Sequence, residues 1–170
     1  MRDRGLLGRD REAAEITRLL DGVRAGGGAL VIRGEAGIGK SALLSDARLL
    51  AADRAVTVVT AYGVRSETDL PFAGLHQIMR AWLTQLDGLP PLQRDAIRAA
   101  FGMSEATAPE PFMIAVAALA LLGDAAARAP LLLAVEDAHW LDRPTADVLA
   151  FIGRRLESDS IVLLTTVRGL

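Results

Sequence analysis

Short apolar runs alternate along this chain with stretches in which apolar residues recur every three to four positions. The runs predict four β-strands, at 29–32, 56–60, 131–135 and 161–165. The last three lack the polar alternation of a half-exposed strand, which indicates buried strands. Helical periodicity follows Asp10, Lys40 and Asp142, with Asp10 and Asp142 predicted as N-caps. Strands that alternate with helices predict an α/β fold with a mainly parallel sheet and helices on both faces.

The segment between the second and third strands is helical by pattern. One apolar stripe comprises Leu75, Ile78, Met79, Trp82 and Leu86. Further helices are predicted at 92–101 and 112–122, with a polar loop at 104–111 between them. No Pro/Gly/Ser-rich boundary flanks this segment. We therefore interpret residues 62–129 as a helical insertion within one domain that spans 1–170.

A glycine-rich turn joins the first strand to the helix at Lys40. Residues 34–41 match G-x-x-x-x-G-K-[ST], the phosphate-binding loop. Glycines permit backbone angles that point several amides at one phosphate, and the helix adds its N-terminal dipole. Lys40, the only lysine of the chain, is predicted to lie between the outer phosphates, and the Ser41 hydroxyl to bind Mg²⁺. The predicted nucleotide-binding residues are Gly34, Glu35, Ala36, Gly37, Ile38, Gly39, Lys40, Ser41 and Ala42.

Two carboxylates follow the third predicted strand. We expect this strand to lie next to the phosphate-loop strand, so that Glu136 binds Mg²⁺ directly or through water. Asp137 would orient or deprotonate the attacking water. The usual residue at the first position is aspartate, so Glu136 departs from the common pattern. Two solvated acids at the start of a loop are the alternative interpretation.

Polar residues at the end of the predicted fourth strand are further candidates for contact with the terminal phosphate. Arg168 is predicted just past that strand, where the ligand-facing groups of open α/β sheets gather, and could sense the terminal phosphate. A solvated arginine is the alternative, and Thr165 and Thr166 are weaker candidates for the same role. Arg9 precedes the first helix and could lie near the base or on the surface.

Composition narrows the classes of function. The 170 residues are 51% apolar with a net charge of −2, and no basic stripe indicates nucleic-acid binding. Without cysteine, disulfides and thiolate metal sites are excluded. The apolar run at 112–122 is too short to span a bilayer, and no signal-type segment follows the N-terminus. We therefore expect a cytoplasmic protein that does not bind membranes.

Four segments together resemble one known family. They are Gly8-Arg9, the loop at 34–41, Leu-Pro-Phe-Ala-Gly-Leu-His-Gln at 70–77 and Glu-Asp-Ala-His-Trp-Leu-Asp at 136–142. In these the chain resembles the N-terminal ATPase domain of large LuxR-type transcriptional regulators, in the STAND branch of AAA+-related P-loop ATPases. A related module accompanies soluble adenylyl cyclases.

The resemblance implies a P-loop NTPase three-layer sandwich that binds ATP or ADP with Mg²⁺ and acts as a nucleotide-dependent switch. Hydrolysis would be slow, and ATP would favour self-association through the ATPase domain. DNA would bind only through a C-terminal domain outside this chain. The chain stops before the expected fifth strand, so the domain is expected to be C-terminally truncated. Alternatives are a non-hydrolysing nucleotide-binding interaction module and, with less support, a small-molecule phosphotransferase.

Overall fold

Strands that run in one direction form the centre of the molecule. The computed structural model describes residues 9–105 and 110–169, so Gly8 and part of the polar loop predicted at 104–111 lie outside it. Within this part, one sheet contains β1 (Gly28–Gly34), β2 (Thr57–Tyr62), β3 (Leu131–Glu136) and β4 (Ile161–Arg168). The strand order is β1-β4-β3-β2, and every neighbouring pair is parallel.

Helices connect the strands and cover both faces. They are α1 (Asp10–Gly22), α2 (Lys40–Asp53), α3 (Ala73–Met79), α4 (Pro91–Ala100), α5 (Pro111–Arg128) and α6 (Arg143–Gly153). Short 3₁₀ segments occupy Arg65–Glu67, Arg80–Gly88, Ala138–Trp140 and Leu156–Ser158. Every regular element that the structure describes between β2 and β3 is helical, which confirms the α/β fold class with a helical insertion at that point.

The two central strands have side chains in two separate cores. Leu132 and Ala134 of β3 pack with residues of α1 and α2, whereas Leu131 and Leu133 pack with α3 to α6. This division follows from the two-residue period of a strand, which sends successive side chains to opposite faces. Each fully buried Leu side chain contributes about 1.5 to 3 kcal/mol of transfer free energy. The predicted buried strands β3 and β4 are confirmed.

Three local predictions need correction. The strand predicted at 56–60 is β2, which lies at the sheet edge and is only half-buried because one of its sides has no neighbouring strand. Asp10 is not the N-cap of α1: Arg9 holds that position, and Asp10 is the first helical residue, where its charge suits the helix dipole. The predicted apolar stripe is not one helix, since α3 ends at Met79 and continues as 3₁₀ turns.

Helix α5 is the most apolar of the described helices. It has 18 residues with a mean hydropathy of 1.5, and among the described residues it is the one helix long and apolar enough to cross a membrane by length and composition. Of that stretch, 44% is buried inside the molecule. Core helices of soluble proteins meet the same criteria, so this finding is weak evidence for a membrane segment.

Candidate functional site

The connection between β1 and α2 has the backbone of an anion-binding loop. Gly37 has φ 79° and Gly39 has φ 91°, both in the left-handed region that side chains disfavour. Gly39 is the N-cap of α2, so the free amides of the first helical turn open toward the loop. Residues 35–38 and Ser41 are exposed. The loop is therefore open to a ligand from solvent, as a phosphate site requires.

Lys40 lies beneath this loop. Its side chain is buried, with a relative exposure of 9%, and its Nζ donates to the carbonyl oxygens of Gly34 and Glu35, each at 2.7 Å. Two carbonyl groups thus hold the ammonium at the end of β1. The Gly34 carbonyl also accepts the amide of Gly169 at 3.0 Å, which joins the loop to the end of β4.

Arg9 supports the loop from the side of α1. Its guanidinium donates to the carbonyl of Ile38 at 3.3 Å and pairs with Glu12 at 2.8 Å. The pKa of Glu12 is held below its ordinary value first by a hydrogen bond from its own backbone amide and then by Arg9. The Arg9 side chain is only 12% exposed. Arg9 therefore contacts the phosphate loop and is not a free surface side chain, whereas its position near a base stays a prediction.

The acidic pair lies at the same edge of the sheet, two strands from β1. Strand β4 separates β3 from β1, so the predicted direct adjacency of β1 and β3 is wrong. Glu136 is the last residue of β3, and its Oε2 lies 3.3 Å from Nη2 of Arg48 on α2. Arg48 was not among the predicted site residues. One signal was present: Arg48 is seven residues after Ser41, which puts both on one face of the helix.

Asp137 has an exposed side chain on a constrained backbone. Its φ is 52°, and its amide donates to Oγ1 of Thr166 at 2.9 Å. A Cβ built on Gly63 would lie 2.1 Å from the Asp137 carbonyl oxygen, so only glycine allows this close approach. The hydroxyl of the buried Thr166 therefore holds the acidic loop in place.

Thr165, the neighbouring candidate, lines a cavity of 550 Å³ with Leu163 and Val167, beside α6.

Arg168 is the last residue of β4 rather than the residue after it. In the parallel register it stands opposite Gly34, so the strand brings it to the phosphate loop. Its side chain is exposed, and its amide lies 3.4 Å from Nδ1 of His139. The pairing of β1 with β4 thus brings Arg168 beside the loop, while Glu136 and Asp137 follow one strand further along.

The two segments at 70–77 and 136–142 contact each other. Asp142 is the N-cap of α6, as predicted, and its buried carboxylate accepts the amide of Thr145 at 2.9 Å. The same carboxylate accepts the amides of Phe72 at 2.8 Å and Gly74 at 3.0 Å. Leu75 donates its amide to the Thr145 hydroxyl at 2.9 Å. The start of α3 is therefore fastened to the loop that follows the acidic pair.

The oxygen donors around the loop suit a hard divalent cation. Mg²⁺ prefers oxygen ligands and is commonly held by one or two protein groups together with substrate phosphates. The exposed Ser41 hydroxyl and the Glu136 carboxylate provide such groups. No trio of His, Cys, Asp or Glu side chains gathers as a metal site anywhere in residues 9–105 and 110–169. The residues present thus fit a cation that arrives with its nucleotide.

An all-parallel sheet with a left-handed glycine loop over a buried lysine defines the class of P-loop NTPase folds. The family model described as "AAA ATPase domain" matches residues 5–164, so the chain belongs to this family. Nucleotide binding and possible hydrolysis follow from membership, typically with Mg²⁺, and oligomers are usual among AAA+ proteins.

One similar solved structure is titled "Structure of C. elegans PCH-2". It shares 11% sequence identity with this chain, and the TM-score is 0.48. The match covers 95% of this chain and 37% of that chain, so the present chain spans little more than a third of its length. Among curated proteins, none matches this chain.

Proposed function

We propose that this domain binds ATP and Mg²⁺ at the loop formed by residues 34–42 and hydrolyses ATP slowly. The observation that carries the proposal is the position of Lys40, whose Nζ lies between two carbonyls at 2.7 Å directly beneath an exposed, left-handed glycine loop. A triphosphate gives this ammonium stronger, charged acceptors than the carbonyls. The amides at the start of α2 would contact the same phosphates.

Each remaining site residue has a role that its position supports. Ser41 and Glu136 would hold Mg²⁺, which when bound screens the charge of the phosphates. Asp137 has an exposed carboxylate on a fixed backbone and would orient the attacking water. Arg168 stands opposite Gly34 in the sheet register and would contact the γ-phosphate. Lys40 would neutralise charge on the β- and γ-phosphates.

The wider role we propose is a nucleotide-dependent switch in a LuxR-type transcriptional regulator of the STAND branch. Support comes from the two family-typical segments, which are joined through Asp142 and Thr145. This junction connects the loop after the acidic pair with the start of the helical insertion. A change at the acidic loop therefore has a short path to α3. Self-association through the ATPase domain and DNA binding through another domain belong to the same proposal.

A second candidate is a module that binds ATP without turning it over. The ion pair between Glu136 and Arg48 favours it, because that carboxylate already has a cation beside it. Phosphate release from wild type and Asp137→Ala distinguishes the two candidates. Slow turnover that Asp137→Ala reduces supports the ATPase, whereas equal background release supports the binding module.

Calorimetric titration with ATP, with and without Mg²⁺, tests the binding site itself. Lys40→Ala should weaken ATP about 10- to 100-fold, because it removes charge-assisted hydrogen bonds to phosphate. Lys40→Met retains most of the apolar stem and serves if the alanine variant is unstable. Arg18→Ala is the matched control, since Arg18 is an exposed cation of α1 that pairs with Glu15. Unchanged ATP affinity in both Lys40 variants would contradict the proposed site.

A further inference from the structure

Among the ion pairs of the described residues, Arg48 is the one cation that contacts Glu136, the proposed metal ligand. Both side chains are mostly buried, with 25% of Arg48 and 17% of Glu136 exposed. The Nε of Arg48 is buried and has no hydrogen-bond partner in the described part of the chain. The pair is thus held by a single 3.3 Å contact between Nη2 and Oε2, rather than by the two-pronged geometry that Arg favours.

The helix places this guanidinium on the side where a cation is expected. Seven residues separate Ser41 from Arg48, which is close to two helical turns, so both side chains leave α2 on one face. The hydroxyl of Ser41 and the carboxylate of Glu136 are the groups that we propose for Mg²⁺. Arg48 lies about 10 Å further along the helix axis than Ser41, and its guanidinium reaches the Glu136 carboxylate.

We propose that Arg48 lowers the Mg²⁺ affinity of the nucleotide site by engaging the Glu136 carboxylate in an ion pair. This inference rests on the proposed function and concerns the regulation of the same site. Arg remains charged at every physiological pH, so protonation changes do not remove the competitor. A dication that uses Glu136 has to open the pair, or share the carboxylate with a cation that repels it.

The geometry favours competition over support for the metal. A group that orients a metal ligand is itself well satisfied by hydrogen bonds. Arg48 instead has an unsatisfied Nε and one long contact, so it does not fix the carboxylate in one orientation for a metal. ATP binding through Lys40 does not require Glu136, so nucleotide would bind while the ion pair is closed, and its Mg²⁺ would then compete with Arg48 for that carboxylate.

The test measures ATP affinity of the full chain by calorimetry across a Mg²⁺ series that starts in EDTA. Arg48→Met removes the charge and keeps an apolar stem, and Arg48→Gln is the second variant if the first does not fold. The Mg²⁺ concentration that produces half of the change in ATP affinity, the half-effect concentration, should fall about 5- to 10-fold in either variant, because Mg²⁺ no longer has to displace an ion-pair partner from Glu136. ATP affinity in EDTA should not fall. Urea unfolding confirms that each variant is folded.

Two controls show whether the effect acts through Glu136. Arg54→Met removes another partly buried, ion-paired arginine, at the C-terminal end of α2 and bound to Asp21, and should leave the Mg²⁺ response unchanged. In a Glu136→Gln background, Arg48→Met should no longer shift the half-effect Mg²⁺ concentration.

The inference is overturned if folded Arg48 variants show an equal or higher half-effect concentration, or if the shift persists with Glu136→Gln. In those cases ATP binding in EDTA still supports the proposed function. Wild type that binds no ATP at any Mg²⁺ concentration overturns both.

Discussion

Asp142 and Gly74 are joined by a hydrogen bond of 3.0 Å from the Gly74 amide, although 68 residues separate them in sequence. The Asp142 side chain is buried and also accepts the amides of Phe72 and Thr145 and the hydroxyl of Thr145. One carboxylate thus caps α6 and holds the first residues of α3. A Cβ at Gly74 would lie 2.6 Å from Cδ2 of Leu141 and 2.9 Å from Cγ2 of Thr145, so these two side chains would have to shift.

Removing this carboxylate should destabilise the domain strongly. Asp142→Ala leaves three buried or partly buried amides and one hydroxyl without their acceptor, which we expect to lower the free energy of unfolding by about 3 kcal/mol or more. Asp142→Asn should cost less, since one amide oxygen remains to accept. Urea unfolding followed by circular dichroism measures both changes.

Asp147→Ala provides the matched control for this prediction. Asp147 lies on α6 and pairs with Arg143 at the surface, so its loss should change stability by less than about 0.5 kcal/mol. Equal stabilities for the Asp142 and Asp147 variants would show that the shared cap contributes little.

The fold was largely predictable because its signals are local. Five apolar residues at 131–135 form a buried strand wherever they pair, and the glycine loop sets the start of α2 at Lys40. Asp142 followed by Pro144 is a local helix start, and the structure confirms it. None of these features depends on which strand lies next to which.

The rest depended on contacts between distant segments. Strand order puts β4 between β1 and β3, and no local pattern reveals that order. The pair of Arg48 with Glu136 spans 88 residues and was therefore missed. The break after Met79 was missed because a 3₁₀ segment repeats every three residues, close to the helical period. The proposed catalytic roles of Lys40, Asp137 and Arg168 stay predictions.

The contact between Gly63 and the acidic loop leads to a second prediction. Gly63→Ala places a methyl 2.1 Å from the Asp137 carbonyl, so the loop has to move. We expect a loss of about 1 to 3 kcal/mol in unfolding free energy and slower phosphate release. Gly88→Ala is the control, because a Cβ there meets nothing within 4 Å. Similar behaviour of the two alanine variants would contradict the close packing at Gly63.

The Glu12 carboxylate gives a prediction about pH. Because its own backbone amide and Arg9 hold its pKa below 4.5 in the folded state, the charged form favours folding. This contribution is present above pH 4.5 and is lost as the pH falls through the lowered folded value. Glu12→Gln should therefore reduce stability slightly at pH 6 and remove a small part of the acid sensitivity. Thermal unfolding from pH 6 to pH 3 measures this, with Glu157→Gln, an exposed acid outside the ion pairs described here, as the control.

Thr166 offers a separate test of the loop that carries Asp137. Its Oγ1 accepts the Asp137 amide at 2.9 Å, and the side chain is 1% exposed. Thr166→Val keeps the shape and removes the acceptor, which leaves the amide unpaired at a cost of about 1 to 3 kcal/mol. If Asp137 orients water, phosphate release should also slow, whereas ATP affinity should change by less than about twofold, since Lys40 and the glycine loop are untouched.

Thr166→Ser separates the role of the hydroxyl from that of the methyl group. Serine keeps the acceptor and loses a buried methyl, so it should lose stability by about 1 kcal/mol while phosphate release stays near wild type. Release that falls equally in the serine and valine variants would assign the effect to packing around β4. Release that falls only with valine means that the backbone of Asp137, held by one hydroxyl, sets the position of its carboxylate.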